Sequence, residues 1–374
     1  MGERFNTRAL VVSRALAHAF TRRAATREPR RVLVAHNLLL GDTLMLTPLL
    51  AKIRARLPGA QTTLLAAPAF APLYASHPYG VRALPFSPAR SATTRDLLAE
   101  SPFDLAFVLG DNRYSWLAAA LRARHIVAHS GDAPATKNWF VDESRAYSAR
   151  PQAWGDMVAD LLDGEDAPPY ARGAWPAPPA RDFARPQAPY AVLHVGASTP
   201  LKRWPAERWN ALAQALRKEG LGVVWSAGAA EEALVRECDP AGEFPSLAGR
   251  LDLAQLWHLL ASAALLVAPD TGIAHLGRVT WTPTVAIFGP GSPVICGRGR
   301  FWRASPWESV AEDPFPCRDQ RILFRREIPW VRRCGRSTRE CAEPRCMQAV
   351  PVEAVLAAAA RVRSGGHPED ATGR

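Results

Sequence analysis

Three absences narrow this 374-residue chain before any motif is read. It has no run of about 18 apolar residues, so no membrane-spanning helix is expected. No period recurs along it, which excludes solenoids and propellers. No cysteine precedes Cys238. A secretory leader is not expected either, because Arg14 and His18 interrupt the apolar stretch near the start. A large chain without a leader suggests a reducing, cytoplasmic setting in which structural disulfides are not the first expectation. The chain also lacks an acidic excess: 46 Lys+Arg stand against 35 Asp+Glu, a net charge of +11. Such a field attracts nucleotides, nucleic acid, anionic lipid or phosphorylated sugars without choosing among them. Nucleic acid is not expected, since the basic residues are dispersed and no recognised aromatic-basic RNA motif occurs.

What is present is a chain of ordinary globular composition, 48% apolar, long enough for two domains. Its most informative stretch is Leu265 to Pro290. Leu265 to Ala268 reads as a buried strand, Asp270-Thr271-Gly272 as a turn and Ile273 to Val279 as a helix. Thr282-Pro283 breaks that helix, and Thr284 to Phe288 reads as a second strand. Such a crossover implies a parallel sheet, in which ligands sit beyond the carboxyl ends of the strands. Thr271 is expected to cap the helix, Gly272 to admit a ligand to backbone N–H groups, and the helix start to favour a phosphate. His275 falls one turn in, on the same side as Thr271.

Strand and helix patterns alternate elsewhere too. The expected organisation is a basic amphipathic helix within residues 1–30, a doubly wound α/β domain over 31–165 and a Pro-rich connector over 166–189. A second α/β domain over 190–350 and a closing helix with a loose tail over 351–374 complete it. In the first helix Phe5, Ala9, Val12, Leu16 and Phe20 share one face, with Arg4, Arg8, Arg14 and Arg22 away from it. That pattern suits a surface anchor on anionic lipid, or a helix docked on the protein.

Two similar domains leave a cleft between their sheet edges. The first loop of the amino-terminal domain offers Gly41 and Asp42, the latter without a nearby cation in sequence and preceded by leucines. Burial would raise the pKa of such a carboxyl and suit it as a general base, or it could serve as a helix cap. The second domain offers Lys202 on a loop before a helix. A Lys about 4 Å from a phosphate is worth roughly 4 kcal/mol at an intermediate dielectric. Glu231, three residues after Gly228, stands where a carboxylate can take ribose hydroxyls. Cys341 and Cys346 have the spacing of a metal knuckle, while Cys317 and Cys334 lie too far apart to be its twin. A Zn or Fe site on these four is one reading and free thiols the other.

Three ordered motifs carry a resemblance. Gly41-Asp42 before Thr47-Pro48-Leu49-Leu50 resembles the first motif of the ADP-heptose lipopolysaccharide heptosyltransferases, glycosyltransferase family nine. Leu193-His194-Val195-Gly196-Ala197-Ser198 with Lys202-Arg203-Trp204-Pro205 resembles their second. Asp270-Thr271-Gly272, His275-Leu276, Thr282-Pro283-Thr284 and Phe288-Gly289-Pro290 resemble their third, and Cys346-Met347 before the last helix is also similar.

The resemblance implies a GT-B fold, two Rossmann-like domains facing across a cleft, and inverting transfer without cofactor or essential metal. An ADP-heptose donor would bind the second domain and a glycolipid acceptor the first, at the inner face of the cytoplasmic membrane. Asp42 would be the base and Lys202 would stabilise the leaving diphosphate. Ser198, Glu231, Asp270, Thr271, Gly272 and His275 would line the donor site, with Gly41 and His36 on the acceptor side. Where the family usually has Arg, this chain has His36, and Leu38 and Leu39 replace small polar residues. Two other readings remain: a heptosyltransferase for a protein such as an autotransporter, with a metal on the cysteine cluster, and a non-catalytic sugar-nucleotide-binding module.

Overall fold

The computed structural model describes residues 2–19 and 26–365. Phe20, Arg22 and most of the expected carboxyl-terminal tail lie outside them. The chain divides into two compact units, Met1–Pro168 with Ile322–Trp330, and Pro169–Arg321 with Val331–Arg374.

The first unit runs α1 (Gly2–Ala19), β1 (Arg31–Ala35), α2 (Leu40–Leu44), α3 (Thr47–Arg56), β2 (Gln61–Ala66), β3 (Val81–Pro85), α4 (Ser91–Ala99), β4 (Leu105–Val108), α5 (Tyr114–Ala120), β5 (His125–His129), β6 (Glu143–Arg145) and α6 (Trp154–Ala159). Its sheet has the order β3-β2-β1-β4-β5-β6, and every pairing in it is parallel. Continuous apolar runs such as Val32 to Ala35 and Ala106 to Val108 are fully buried, as strands covered on both faces require. Helix α1 packs on α4 and α5.

The second unit runs β7 (Tyr190–His194), α7 (Ala206–Lys218), β8 (Gly222–Ser226), α8 (Glu232–Cys238), α9 (Leu253–Ala261), β9 (Leu265–Pro269), α10 (Gly272–Val279), β10 (Thr284–Phe288) and β11 (Trp307–Ala311). Its parallel sheet has the order β11-β10-β9-β7-β8. A short hairpin of β12 (Ile322–Leu323) and β13 (Arg326–Glu327) returns to the first unit. Helices α11 (Arg345–Gln348) and α12 (Val352–Ser364) then close the second. Helix α9 starts on a capping box between Asp252 and Gln255. Gly277 lets α10 lie against β9 and β10, since a Cβ there would stand 2.4 Å from Thr284 Oγ1.

Several local expectations are corrected. Leu40 to Leu44 is a one-turn helix rather than a loop, so Asp42 sits on a helical turn. Thr47 is the first residue of α3, its hydroxyl donating to Leu44 O. Thr271 holds the cap position of α10 but makes no side-chain capping bond, and its Oγ1 is buried without a partner. The Pro-rich connector also contributes side chains to a core. Tyr170 and Trp175 are buried, and Tyr170 packs on Trp281, Phe301 and Trp302 of the second unit. Three aromatic partners outweigh the openness that the prolines alone suggest.

Candidate functional site

In the second unit the carboxyl ends of β7 and β9 place the expected residues in one group. Strand β9 ends at Pro269, and Asp270 follows, buried. Its carboxylate and its backbone both hold Lys202, with Nζ 3.0 Å from Oδ2 and 2.7 Å from the carbonyl O. Burial pushes the Asp270 carboxyl up. The Lys202 ammonium, its hydrogen bond and a bond from Cys296 outweigh it, so the group stays below the usual carboxylate range. Asp270 is therefore ionised, and Lys202 is a fixed, partly exposed cation beside the first turn of α10. Gly272 opens that helix and His275 lies one turn in, its Nε2 3.9 Å from Asp270 Oδ1.

His275 is buried, and burial followed by the nearby Arg278 pushes its pKa down to about 3. The ring is thus neutral and supports the turn by shape rather than charge. It stacks on Trp307 at 5.7 Å, and the Arg278 guanidinium lies 3.6 Å from the centre of the Trp307 ring. Arg278 also donates to Gly297 O and Cys296 O. A wall of Arg278, Cys296 and Trp307 was not read from sequence. Arg278 carried a signal, three residues after His275 on one helical face, but Cys296 and Trp307 come from distant segments. Asp270, His275 and Cys296 bring their ligand atoms within 4.8 Å of one another. Lys202 already supplies the positive charge there.

The other donor-side residues divide. Ser198 is exposed on the loop after β7. Glu231 is half-buried and already engaged: Oε1 accepts from Ala197 N at 2.9 Å and Oε2 from Gly228 N at 2.9 Å. It thereby ties the loop after β7 to the loop after β8. A Cβ on Gly196 would meet Glu231 Oε2 at 2.1 Å, so only glycine lets that carboxylate in. Each oxygen keeps a second lone pair for a ligand hydroxyl.

In the first unit, Gly41 and Asp42 are half-buried on α2, at the carboxyl edge of β1. Asp42 stands within electrostatic reach of Tyr147, so it is not isolated. Gly155 lies 2.6 Å, measured from its Cβ position, from Met45 O, which presses the start of α6 against this turn. His36 is buried and neutral, its pKa pushed down to about 3 by burial. Its Nδ1 accepts from Leu38 N at 3.2 Å, which places the ring proton on Nε2.

Cys317, Cys334, Cys341 and Cys346 line one cavity of about 590 Å³ within the second unit. None of the six cysteines is in a disulfide. Burial raises the Cys317 and Cys346 thiols above their usual range, and the neighbouring thiols add to it.

The family profile described as Glycosyltransferase family 9 (heptosyltransferase) matches residues 98–312. The chain is 28% identical to Lipopolysaccharide heptosyltransferase 1 of Pseudomonas aeruginosa over 71% of its own length and 81% of that protein. It is similar in fold to the ADP-heptose LPS heptosyltransferase II of E. coli, with a TM-score of 0.67 and 18% identity over 90% and 98% of the two chains. It is also similar to TibC, an iron-containing dodecameric glycosyltransferase of E. coli, with a TM-score of 0.56 and 16% identity over 91% and 78%. The two parallel-sheet α/β units are those of the GT-B class expected from the three motifs.

Proposed function

The chain belongs to glycosyltransferase family 9, the heptosyltransferase family, and on that premise we propose that it moves a heptose from ADP-heptose to a hydroxyl of a lipopolysaccharide acceptor. The observation that carries this reading is the Lys202–Asp270 pair beside the first turn of α10. A fixed ammonium, with the N–H groups of a helix start beside it, suits a diphosphate that gains charge as it departs.

The proposed reaction is a single displacement. Asp42 takes the proton of the acceptor hydroxyl, and the freed oxygen attacks the anomeric carbon from the face opposite the diphosphate. The bond from that carbon to the diphosphate oxygen breaks, and ADP leaves with the electron pair. The anomeric configuration inverts. Lys202 meets the charge that forms on the departing oxygen, so the step does not depend on a metal. Glu231 takes the ribose hydroxyls, and Asp270, Thr271 and Gly272 hold the sugar and phosphates. A screen of nucleotide sugars by thermal shift tests the donor. ADP-heptose should raise the melting temperature more than the UDP and GDP sugars, and equal shifts from all of them would remove the donor assignment.

Peripheral placement on an anionic membrane belongs to the same reading. One side of α1 packs on the first unit through Thr7 and Ala15. The outward side carries Phe5, 72% exposed, with Val12 and Leu16 also exposed. These recur at helical spacing beside the exposed Arg8. A single apolar stripe with an exposed Arg beside it suits the headgroup boundary of a bilayer. No helix among the described residues is long and apolar enough to cross one.

A second reading keeps the chemistry and changes the acceptor to a protein, with a metal on the cysteine cavity. Its support is the likeness to iron-containing TibC and the gathering of four thiols on one cavity. Thiolates suit a soft ion. As they stand, among the described residues, no three of these cysteines bring their sulfurs within the 4.8 Å that joins Asp270, His275 and Cys296. Metal binding would require their side chains to rotate inward. Elemental analysis of the purified protein decides: stoichiometric iron or zinc that leaves on Cys341→Ser favours this reading, and a metal-free active enzyme removes it.

A further inference from the structure

The hairpin β12–β13 belongs to the first unit, far in sequence from the rest of that unit. Its register pairs Leu323 with Arg326, which leaves Phe324 and Arg325 as a two-residue turn. Both have positive φ, 44° and 67°. Such a turn normally takes Asn-Gly, because side chains are strained in this conformation. Here the strain is held by its surroundings. Arg326, buried, donates to Gly110 O, Ser130 O, His129 O and Asn112 Oδ1, and lies 3.6 Å from the buried carboxylate of Asp132. Phe324 packs on Trp154 at 4.7 Å. Gly110 is pinched between Leu38 and Phe324, 2.8 Å and 3.4 Å from its Cβ position. The turn is thereby fastened to the carboxyl edge of β4 and β5, beside the loop that leads from His36 to Asp42.

What this fastening presents is charge. Arg325 Nη1 lies 2.9 Å from Asp111 Oδ2, and Arg113 Nη2 lies 2.7 Å from the same oxygen. Lys137 is 3.2 Å from Asp111 Oδ1 and 3.0 Å from Asp132 Oδ1. Four cations, Arg113, Lys137, Arg325 and Arg326, thus face two carboxylates. The Arg325 side chain is 58% exposed and that of Arg113 is 49% exposed. Each guanidinium carries five N–H donors, and a single carboxylate oxygen shared between two guanidiniums leaves most of them to water. Planar forks converging on one point match the oxygens of a phosphate or carboxylate.

We infer that Arg325, presented by the strained Phe324–Arg325 turn, forms with Arg113 a site for an anionic group of the acceptor, a sugar phosphate or a sugar carboxylate. The inference rests on the first unit being the acceptor side. It makes the hairpin a specificity element: the hydroxyl is met at Asp42 and a neighbouring anion at Arg325.

The test uses the full chain with ADP present at saturation, so that phosphate sites on the donor side are filled. Glucose 6-phosphate, glucuronate and glucose are titrated and binding is followed by NMR. The expected result is that an anionic sugar binds about tenfold tighter than glucose, the ratio that about 1.4 kcal/mol of net hydrogen bonding to a charged group gives. Whichever of the phosphate and the carboxylate binds tighter names the source of the anion. Arg325→Gln with Arg113→Gln should bring the anionic sugars down to the level of glucose. The variant Arg325→Gly relaxes the positive-φ position and removes the charge while keeping the Phe324–Trp154 contact, so it should keep or raise the melting temperature while losing the preference. A purely structural hairpin would not separate these two readouts. Equal binding of all three sugars, or a preference that survives Arg325→Gln, overturns the site. Failure of the wild type to bind ADP would instead overturn the donor assignment, and the same titration without ADP would still decide the Arg325 site.

Discussion

Asp270 shows how one residue sets the character of a site. Its carboxylate is buried and ionised only because Lys202 sits 3.0 Å away, and Lys202 is aimed only because Asp270 takes it twice. Removing one partner leaves an uncompensated buried charge, which typically costs about 3 to 5 kcal/mol. Lys202→Met, which strands the buried Asp270 carboxylate, should therefore lower stability and weaken ADP binding together, whereas Asp270→Asn, which leaves only the partly exposed Lys202, should weaken chiefly the binding and turnover of donor. Calorimetric titration with ADP beside a denaturant midpoint separates the two. An Asp270→Asn protein that binds ADP like wild type would break the argument. Gly196 makes a second case: Gly196→Ala puts a methyl 2.1 Å from Glu231 Oε2 and should free the Glu231 carboxylate from its two backbone donors. The donor Km should rise severalfold, and an unchanged Km would show that Glu231 does not serve the donor. At this scale much was legible. Asp270, Thr271, Gly272 and His275 are neighbours in sequence, so a turn between strand and helix had to bring them together. Cys296, Trp307 and Arg326 reach their places through long-range packing, which no local spacing encodes.

At the scale of elements, the parallel strands were read from their continuous apolar runs, and β1, β7, β9 and β10 lie where those runs are. Strand β11 escaped because Trp307–Ala311 sits at a sheet edge, half-exposed, with a Glu and a Ser among five residues. The hairpin β12–β13 escaped because Phe-Arg is not a turn signal, and only its docking makes it one. Helix α2 leaves no helical signal in the sequence, because five residues are too few to show a period. Its setting gives a prediction. Gly155→Ala would press a methyl against Met45 O, a backbone atom 2.6 Å away that cannot swing aside. Overpacking of this kind costs about 1 to 3 kcal/mol. The unfolding free energy from denaturant titration should fall by that amount, and turnover should fall with it because α2 carries Asp42. Full activity in the destabilised variant would uncouple the helix packing from the site. The outward stripe of α1 gives another. Replacing Phe5, Val12 and Leu16 by Ser should abolish sedimentation with phosphatidylglycerol vesicles and leave the melting temperature nearly unchanged. Retained sedimentation would remove α1 as the membrane contact.

For the molecule as a whole, four histidines buried among the described residues make stability depend on pH. His36, His129 and His275 are pushed down to about 3 and His194 to about 4, by burial in each case. Unfolded, each would titrate near 6.5. The unfolded chain therefore binds more protons than the folded one between these values, and stability is full above about pH 6.5 and lost as pH falls toward 4. Each histidine contributes up to about 1.4 kcal/mol per pH unit. Denaturant midpoints at pH 7.5, 6.0 and 5.0 should drop steeply and in order; a flat profile would mean that these rings are protonated in the fold. The central claim is that Asp42 acts as the base for transfer from a diphosphate donor held at Lys202. Its most direct measurement is turnover of Asp42→Asn with ADP-heptose and a lipopolysaccharide acceptor, alongside the dissociation constant for ADP-heptose. Loss of the general base predicts a fall in turnover of about a hundredfold or more at an unchanged dissociation constant. Turnover within a factor of a few of the wild type, with donor binding intact, would contradict it.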